Sequence, residues 1–175
     1  MHRKIAKTPP CGLNSWDCFG AAVNEKQLYE NAAYMAEYLK PFGWEYIVCD
    51  IQWYEPNAKS NDYNNFTELN VDAFGRLMPA QNRFPSAAGG KGFKEIADYC
   101  HSLGLKFGIH IMRGVPRCAV HSNLPIKNSC FTCRDIAHHF SVCSWNTDMY
   151  GCKNTPAAQE YYNSLFALYA EWGVD

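Results

Sequence analysis

The chain has no run approaching the roughly 20 apolar residues of a membrane-spanning helix, and no excess of charge. Its 16 Lys and Arg face 17 Asp and Glu, for a formal net charge of −1. The first absence argues against a helical membrane protein. The second removes the electrostatic basis for binding nucleic acid or an anionic membrane surface. Residues Met1-His-Arg-Lys-Ile-Ala-Lys-Thr-Pro-Pro10 have the charge of a signal peptide's first region, but no apolar segment follows. Nine cysteines is an odd number, so at least one thiol stays unpaired within the chain. A mostly reduced, cytoplasmic protein is the simpler expectation, with an extracellular one open if the amino terminus is incomplete.

What is present is an alternation. Three times an amphipathic helical stretch runs into a glycine and then an apolar strand: Pro41-Phe-Gly-Trp44 into Tyr46-Ile-Val-Cys-Asp50, Ser102-Leu-Gly104 into Leu105-Lys-Phe-Gly-Ile-His-Ile111, and Glu171-Trp-Gly173 into Val174-Asp175. A helix, a glycine just past its end and a doubly buried strand make the repeating unit of an α/β protein with a parallel sheet. The expectation is a partial (β/α)8 TIM barrel of three to four units, since a full barrel takes about 250 residues and this chain has 175. No sequence repeat and no low-complexity segment accompanies the alternation.

The helix signals are local and physical. Asn24 with Gln27 predicts a capping box, after which Leu28, Ala32, Met35, Ala36 and Leu39 recur at helical spacing until Pro41 and Gly43. The second helix carries Phe93, Ile96, Ala97, Cys100 and Leu103. The last opens at Thr155-Pro156 with Tyr162, Leu165, Phe166, Tyr169 and Trp172 as its apolar face. Residues 8–17 predict a short opening strand. Residues 55–90 and 112–154 are long connections that leave from strand carboxyl ends, the side on which such a barrel builds its site.

The polar groups at those strand ends are the candidates for chemistry: Asn14, Trp16 and Asp17 after the first strand, Asp50, Gln52 and Trp53 after the second, His110 and Arg113 after the third. A carboxylate that closes a buried apolar run needs a partner to offset its desolvation, either loop amides or a ligand. Asp beside Trp is also what sugar recognition asks for, because the carboxylate accepts hydroxyl donors while the indole covers the C–H face of a pyranose. Asp50 with Trp53 and Asp17 with Trp16 both offer that pair. The plain alternatives are that Asp50 caps a loop and that the tryptophans fill the core. An aromatic share of 15% fits either reading.

Two other patterns are weaker. Cys130-x-x-Cys133 with His138, His139 and Cys143 has a zinc site's ligand types but lacks the usual second pair, so the expectation is a loop of separate thiols, with a disulfide open if the protein is exported. Gly89-Gly-Lys-Gly92 lacks the preceding strand of a phosphate loop and reads as the turn that opens the second helix. No metal and no organic cofactor is expected.

Thr8-Pro-Pro-Cys-Gly-Leu-Asn-Ser-Trp-Asp17, Tyr46-Ile-Val-Cys-Asp-Ile-Gln-Trp53, Arg83-Phe-Pro-Ser86, Ile96-Ala-Asp-Tyr-Cys-His-Ser-Leu-Gly-Leu-Lys-Phe-Gly-Ile109 and Trp172-Gly-Val-Asp175 together resemble the glycoside hydrolase family 27 α-galactosidases, or melibiases, in their bacterial branch. The resemblance implies that residues 1–175 are the N-terminal part of a barrel whose second half and β-sandwich domain are missing. It implies a retaining glycosidase with two catalytic aspartates about 5 to 5.5 Å apart, both expected beyond Asp175, so that this chain alone is inactive. What it implies here is the glycone pocket: Trp16 at a galactose-packing tryptophan, Asp50 at a hydroxyl-binding acid whose acidic neighbour is replaced by Cys49, and His110 at a sugar-contacting tyrosine. With Asp17, Trp53 and Arg113 these are the expected substrate-binding residues. The partner is a galactoside-type carbohydrate, with N-acetylgalactosaminides and β-L-arabinopyranosides as the neighbouring possibilities. The competing readings are a non-catalytic sugar-binding protein and a zinc module.

Overall fold

The computed structural model describes residues 9–60 and 62–175, so the basic residues of the amino terminus and Thr8 lie outside it. Three short strands, β1 (Gly12–Asn14), β2 (Tyr46–Cys49) and β3 (Lys106–Ile109), form a parallel sheet in the order β1-β2-β3, with Gly12 opposite Tyr46 and Tyr46 opposite Lys106. Between β1 and β2 run a single turn, α1 (Trp16–Phe19), and then α2 (Glu25–Tyr34), which continues as a π-helical stretch Met35–Leu39 and a 3-10 turn Lys40–Phe42. The Asn24 side chain accepts from the Gln27 N–H and the Gln27 side chain accepts from the Asn24 N–H, closing the expected capping box. Leu28, Ala32 and Met35 are buried, and Ala36 and Leu39 pack half-buried against the same core.

Gly89 and Gly90, with φ of 73° and 82°, break the 3-10 stretch Pro85–Gly90 at a turn that leads into α3 (Lys94–Ser102), as the turn reading expects. Phe93, Ile96, Ala97 and Cys100 are buried. Gly43, Gly104 and Gly173 take φ of 89°, 67° and 78°, the left-handed geometry that lets each helix stop and the chain turn back. After Gly173, the Asp175 N–H donates to the Phe107 carbonyl at 2.9 Å. Because Lys106 and His110 donate towards β2, Phe107 points the other way, and this bond falls on the outer edge of β3.

Two expectations need correction. Residues 112–154 are not merely a connection: β4 (Val115–Pro116), β5 (Ala137–Val142) and β6 (Met149–Cys152) form a second, antiparallel sheet in the order β4-β6-β5, with α4 (Arg117–His121) and α5 (Cys133–Ile136) beside it. In the last helix, α6 (Pro156–Glu171), the Thr155 cap is present, but the buried stripe is Tyr161, Leu165, Leu168 and Trp172 together with Tyr169, and Phe166 is exposed. Two stripes one residue apart fit the same periodicity. The tertiary partners decide between them, since Tyr161 OH donates to the Gly75 carbonyl at 2.8 Å.

The centre of the molecule is aromatic. Trp53 meets Tyr54, Phe93 and Trp172 edge-on, with ring centroids 5.1, 5.2 and 6.2 Å apart. The long 55–90 segment owes its polar composition to its own internal bonding. Fully buried Glu55 accepts from the Asn57 N–H, the Asn64 amide and the Thr67 hydroxyl at 2.7, 3.0 and 3.1 Å. Arg83 reaches across the loops, donating to the carbonyls of Ala21 and Val23 (3.0 and 2.6 Å) and to those of Gln52 and Glu55, the last at 2.8 Å. Among the described residues no helix is long and apolar enough to cross a membrane.

Candidate functional site

The residues that follow the carboxyl ends of the three parallel strands converge on one cleft of about 250 Å³. From the end of β1 come Asn14, Trp16 and Asp17; from the end of β2, Asp50 and Ile51; from the end of β3, His110. Tyr63 and Trp145 close it from the two long segments. The turn after β1 is fixed by its own side chains: Asn14 Oδ1 accepts the Trp16 N–H at 2.9 Å, and the buried Ser15 hydroxyl accepts the Asp50 N–H at 2.9 Å. That second bond ties β1's end to β2's end and sets Asp50 relative to Trp16.

Asp50 is the electrostatic centre. Its Oδ1 accepts from the Ile51 N–H at 2.7 Å and lies 2.5 Å from His110 Nδ1. An ionised carboxylate only accepts, so Nδ1 carries the proton of that bond. Burial pushes the Asp50 carboxyl upward, but hydrogen bonds from His110 and Asn14, the His110 charge and the Ile51 amide outweigh it and leave the carboxyl below its ordinary value. His110 moves the opposite way: its hydrogen bond to Asp50 and that group's charge raise it above 6.5 against the pull of partial burial. The imidazole contribution to stability is therefore complete below 6.5 and lost as pH rises through the raised value. The carboxylate contribution is complete above 3.8 and lost as pH falls through the lowered one. Titrating the His110 ring protons by NMR should give a midpoint above 6.5, and Asp50→Asn should bring that midpoint down; an unchanged midpoint in the variant would remove the pair as its cause.

Trp16 is half-buried, with one face covered by Tyr63, whose ring stacks on it at 5.4 Å and 20°. Of the six expected substrate-binding residues, Trp16, Asp17, Asp50 and His110 share the cleft. Trp53 does not. It is fully buried in the aromatic core with no ring face available to a sugar, and its indole N–H donates to the His110 carbonyl at 2.9 Å. The chain turns inward after Asp50, so a tryptophan three residues on lands beneath the cleft and supports it. Arg113 also lies apart: it borders a separate groove beside Lys153 and Tyr162 and donates to the Ser141 hydroxyl at 3.2 Å.

The sequence reading missed Tyr63 and Trp145. Their only signal is an aromatic ring in an otherwise polar loop, Asp62-Tyr-Asn-Asn and Ser144-Trp-Asn. It also missed Asp148, which is buried near the cleft with Oδ2 accepting from Gln52 Nε2, Tyr54 OH and Asn146 Nδ2 at 2.6, 3.1 and 3.1 Å. The residues with zinc-ligand chemistry are spread out: Cys130 is exposed, Cys133 is buried, and His138 and His139 are on the exposed part of β5. Among the described residues no three Cys, His, Asp or Glu side chains gather into a metal-binding group, and all nine cysteines are free thiols.

The profile of the alpha galactosidase A (melibiase) family matches residues 8–150. Among solved structures, a GH27 β-L-arabinopyranosidase from Geobacillus stearothermophilus in complex with arabinose is 64% identical, with a TM-score of 0.97 over 99% of this chain and 41% of its own. A candidate α-N-acetylgalactosaminidase from Bacillus halodurans is 60% identical, with a TM-score of 0.90 over 96% of this chain and 40% of its own. Alpha-galactosidase 3 of Arabidopsis thaliana is 32% identical over the whole of this chain, which spans 38% of that relative's length. The α/β arrangement of the three strand-end segments is thus shared with enzymes of one group, and the chain belongs to the melibiase family, glycoside hydrolase family 27.

Proposed function

We propose that this chain forms the glycone pocket of a retaining glycosidase that acts on terminal α-galactosides or on a pyranoside of the same hydroxyl arrangement, its parallel strands being the first of a (β/α)8 barrel. The observation that carries the reading is the convergence of Trp16, Asp50 and His110, from three successive strand ends, on one small cleft. Each has work to do on a sugar. Asp50 retains lone pairs for hydroxyl donors, His110 offers a second nitrogen, and the Trp16 indole that lines the cleft suits the C–H face of a ring. Asp17 stands at the rim as a further hydroxyl acceptor.

The arabinopyranosidase and α-N-acetylgalactosaminidase likenesses favour keeping the glycone open among galactose, N-acetylgalactosamine and arabinopyranose. The reading assigns this chain the glycone pocket, with the catalytic pair expected past Asp175. The test is calorimetric titration with the methyl α-galactoside, methyl β-L-arabinopyranoside and methyl α-N-acetylgalactosaminide. At least one should bind, and Asp50→Ala should weaken it by about tenfold or more, as expected when a charge-assisted hydrogen bond is lost. Binding of none of the three, or equal binding by the variant, would overturn the proposal.

A further inference from the structure

The cleft has a volume of about 250 Å³, and one ring seated against Trp16, Asp50 and His110 occupies its floor. Any second ring of a bound glycoside has to lie outside it, over the rim. The rim on one side is aromatic without a break. Tyr63 stacks on Trp16 at 5.4 Å, and Trp145 leans on Tyr63 at 5.1 Å and 41°. Trp145 is 54% exposed, so much of its ring meets solvent.

An exposed tryptophan is a useful platform only if its backbone is held. Here it is held unusually well for a loop. One residue on, Asn146 is buried, its Oδ1 accepting the Asp148 N–H at 2.8 Å. Two residues on, the Thr147 hydroxyl accepts the Phe66 N–H at 2.7 Å, joining the Trp145 segment to the Tyr63 segment. Three residues on, buried Asp148 is fixed by Gln52, Tyr54 and Asn146, and its carbonyl accepts the Arg117 N–H at 2.9 Å. The anchoring is polar and buried while the ring it supports is left in solvent. Such pre-organisation, built by a network that also stabilises the fold, lowers the ordering cost of binding.

Resting on the glycone reading above, we propose that Trp145, continued inward by Tyr63, is the platform for the second sugar ring of the substrate, the ring on the leaving-group side. The chain then selects a glycoside whose aglycone is itself a pyranose with an apolar C–H face. A pyranose laid flat on an indole points its C–H hydrogens at the negative ring face, and this contact rewards the two-ring ligand alone.

The experiment compares methyl α-galactoside, one ring, with melibiose, the same glycone bearing a glucose, by calorimetry on the 175-residue chain. The expected result is melibiose binding about threefold or more tightly, with that ratio falling towards one in Trp145→Ala and partly restored in Trp145→Phe, which keeps a flat ring. Equal affinities in the unsubstituted chain, or a ratio that survives Trp145→Ala, would overturn the platform while leaving the glycone reading intact. Binding of neither ligand, nor of the other two methyl glycosides, would instead bring down the glycone reading and the platform with it. Near-ultraviolet circular dichroism of the variants confirms that the fold is present in each.

Discussion

Trp53→Ala is expected to lower the stability of this chain by about 3–5 kcal/mol, the range for deleting a large aromatic side chain from a core. The indole is fully buried between Tyr54, Phe93 and Trp172, and Phe93 and Trp172 are kept from collapsing into the space by their own edge-on contact at 5.8 Å. Phe93 also meets Phe84 and Phe107 at 5.3 and 5.4 Å. At roughly 2–4 °C per kcal/mol for a chain of this size, the midpoint of thermal unfolding should fall by about 6–20 °C. Trp53→Phe separates the two parts of the effect. It keeps most of the ring but removes the part-buried indole hydrogen bond to the His110 carbonyl, a loss of about 0.5–1.5 kcal/mol. Both variants should shift the denaturant midpoint at constant slope. A change below about 1 kcal/mol in Trp53→Ala would mean that the ring is not a close-packed part of the core.

The second large effect is at Asp148. Asp148→Ala removes the single oxygen that satisfies Gln52, Tyr54 and Asn146 and strands three buried donors. At about 1–3 kcal/mol for each unsatisfied group, and with water relieving some of it, the expected cost is about 3 kcal/mol or more, read from the same denaturant curves. Asp148→Asn keeps an acceptor and should cost less. Burial raises the Asp148 carboxyl above its ordinary value; hydrogen bonds from Gln52, Asn146 and Tyr54 oppose this and the Glu55 charge adds to it. A group raised on folding contributes stability that is complete below its unfolded value and lost as pH rises through the folded one. Relative to Asp148→Asn, the unsubstituted chain should therefore gain stability as pH is lowered from neutral towards 3.8. A difference independent of pH would show that Asp148 does not titrate in that window.

How far the sequence could be read follows from where each signal is stored. The parallel strands, the capping box at Asn24, the Thr155 cap and the three helix-ending glycines are written in contiguous residues. Each reflects a local rule about hydrogen bonds or φ. Asp50 and His110 were legible because both sit just past a strand's end, and neighbouring parallel strands bring such ends together. Trp53 was misread because the rule that served Asp50 stops where the backbone bends inward, and nothing in Ile51-Gln-Trp53 announces the bend. The antiparallel sheet was hidden because β4 has two residues and β5 is mostly exposed along its length, so neither shows an alternating apolar pattern. Tyr63 and Trp145 are some eighty positions apart in polar surroundings, and only the folded chain stacks them.

Arg83, just ahead of the Pro85–Gly90 segment, collects carbonyl oxygens from the stretch that follows β1 and from the loop that follows β2. A rigid, planar cation of this kind behaves as an internal rivet: neither loop can swing outward without dragging the other or abandoning charge-assisted bonds to a partly desolvated guanidinium. The two walls that present Trp16 and Asp50 are thereby clamped a second time, beyond the Ser15 bond to Asp50, by a side chain that does not line the cavity.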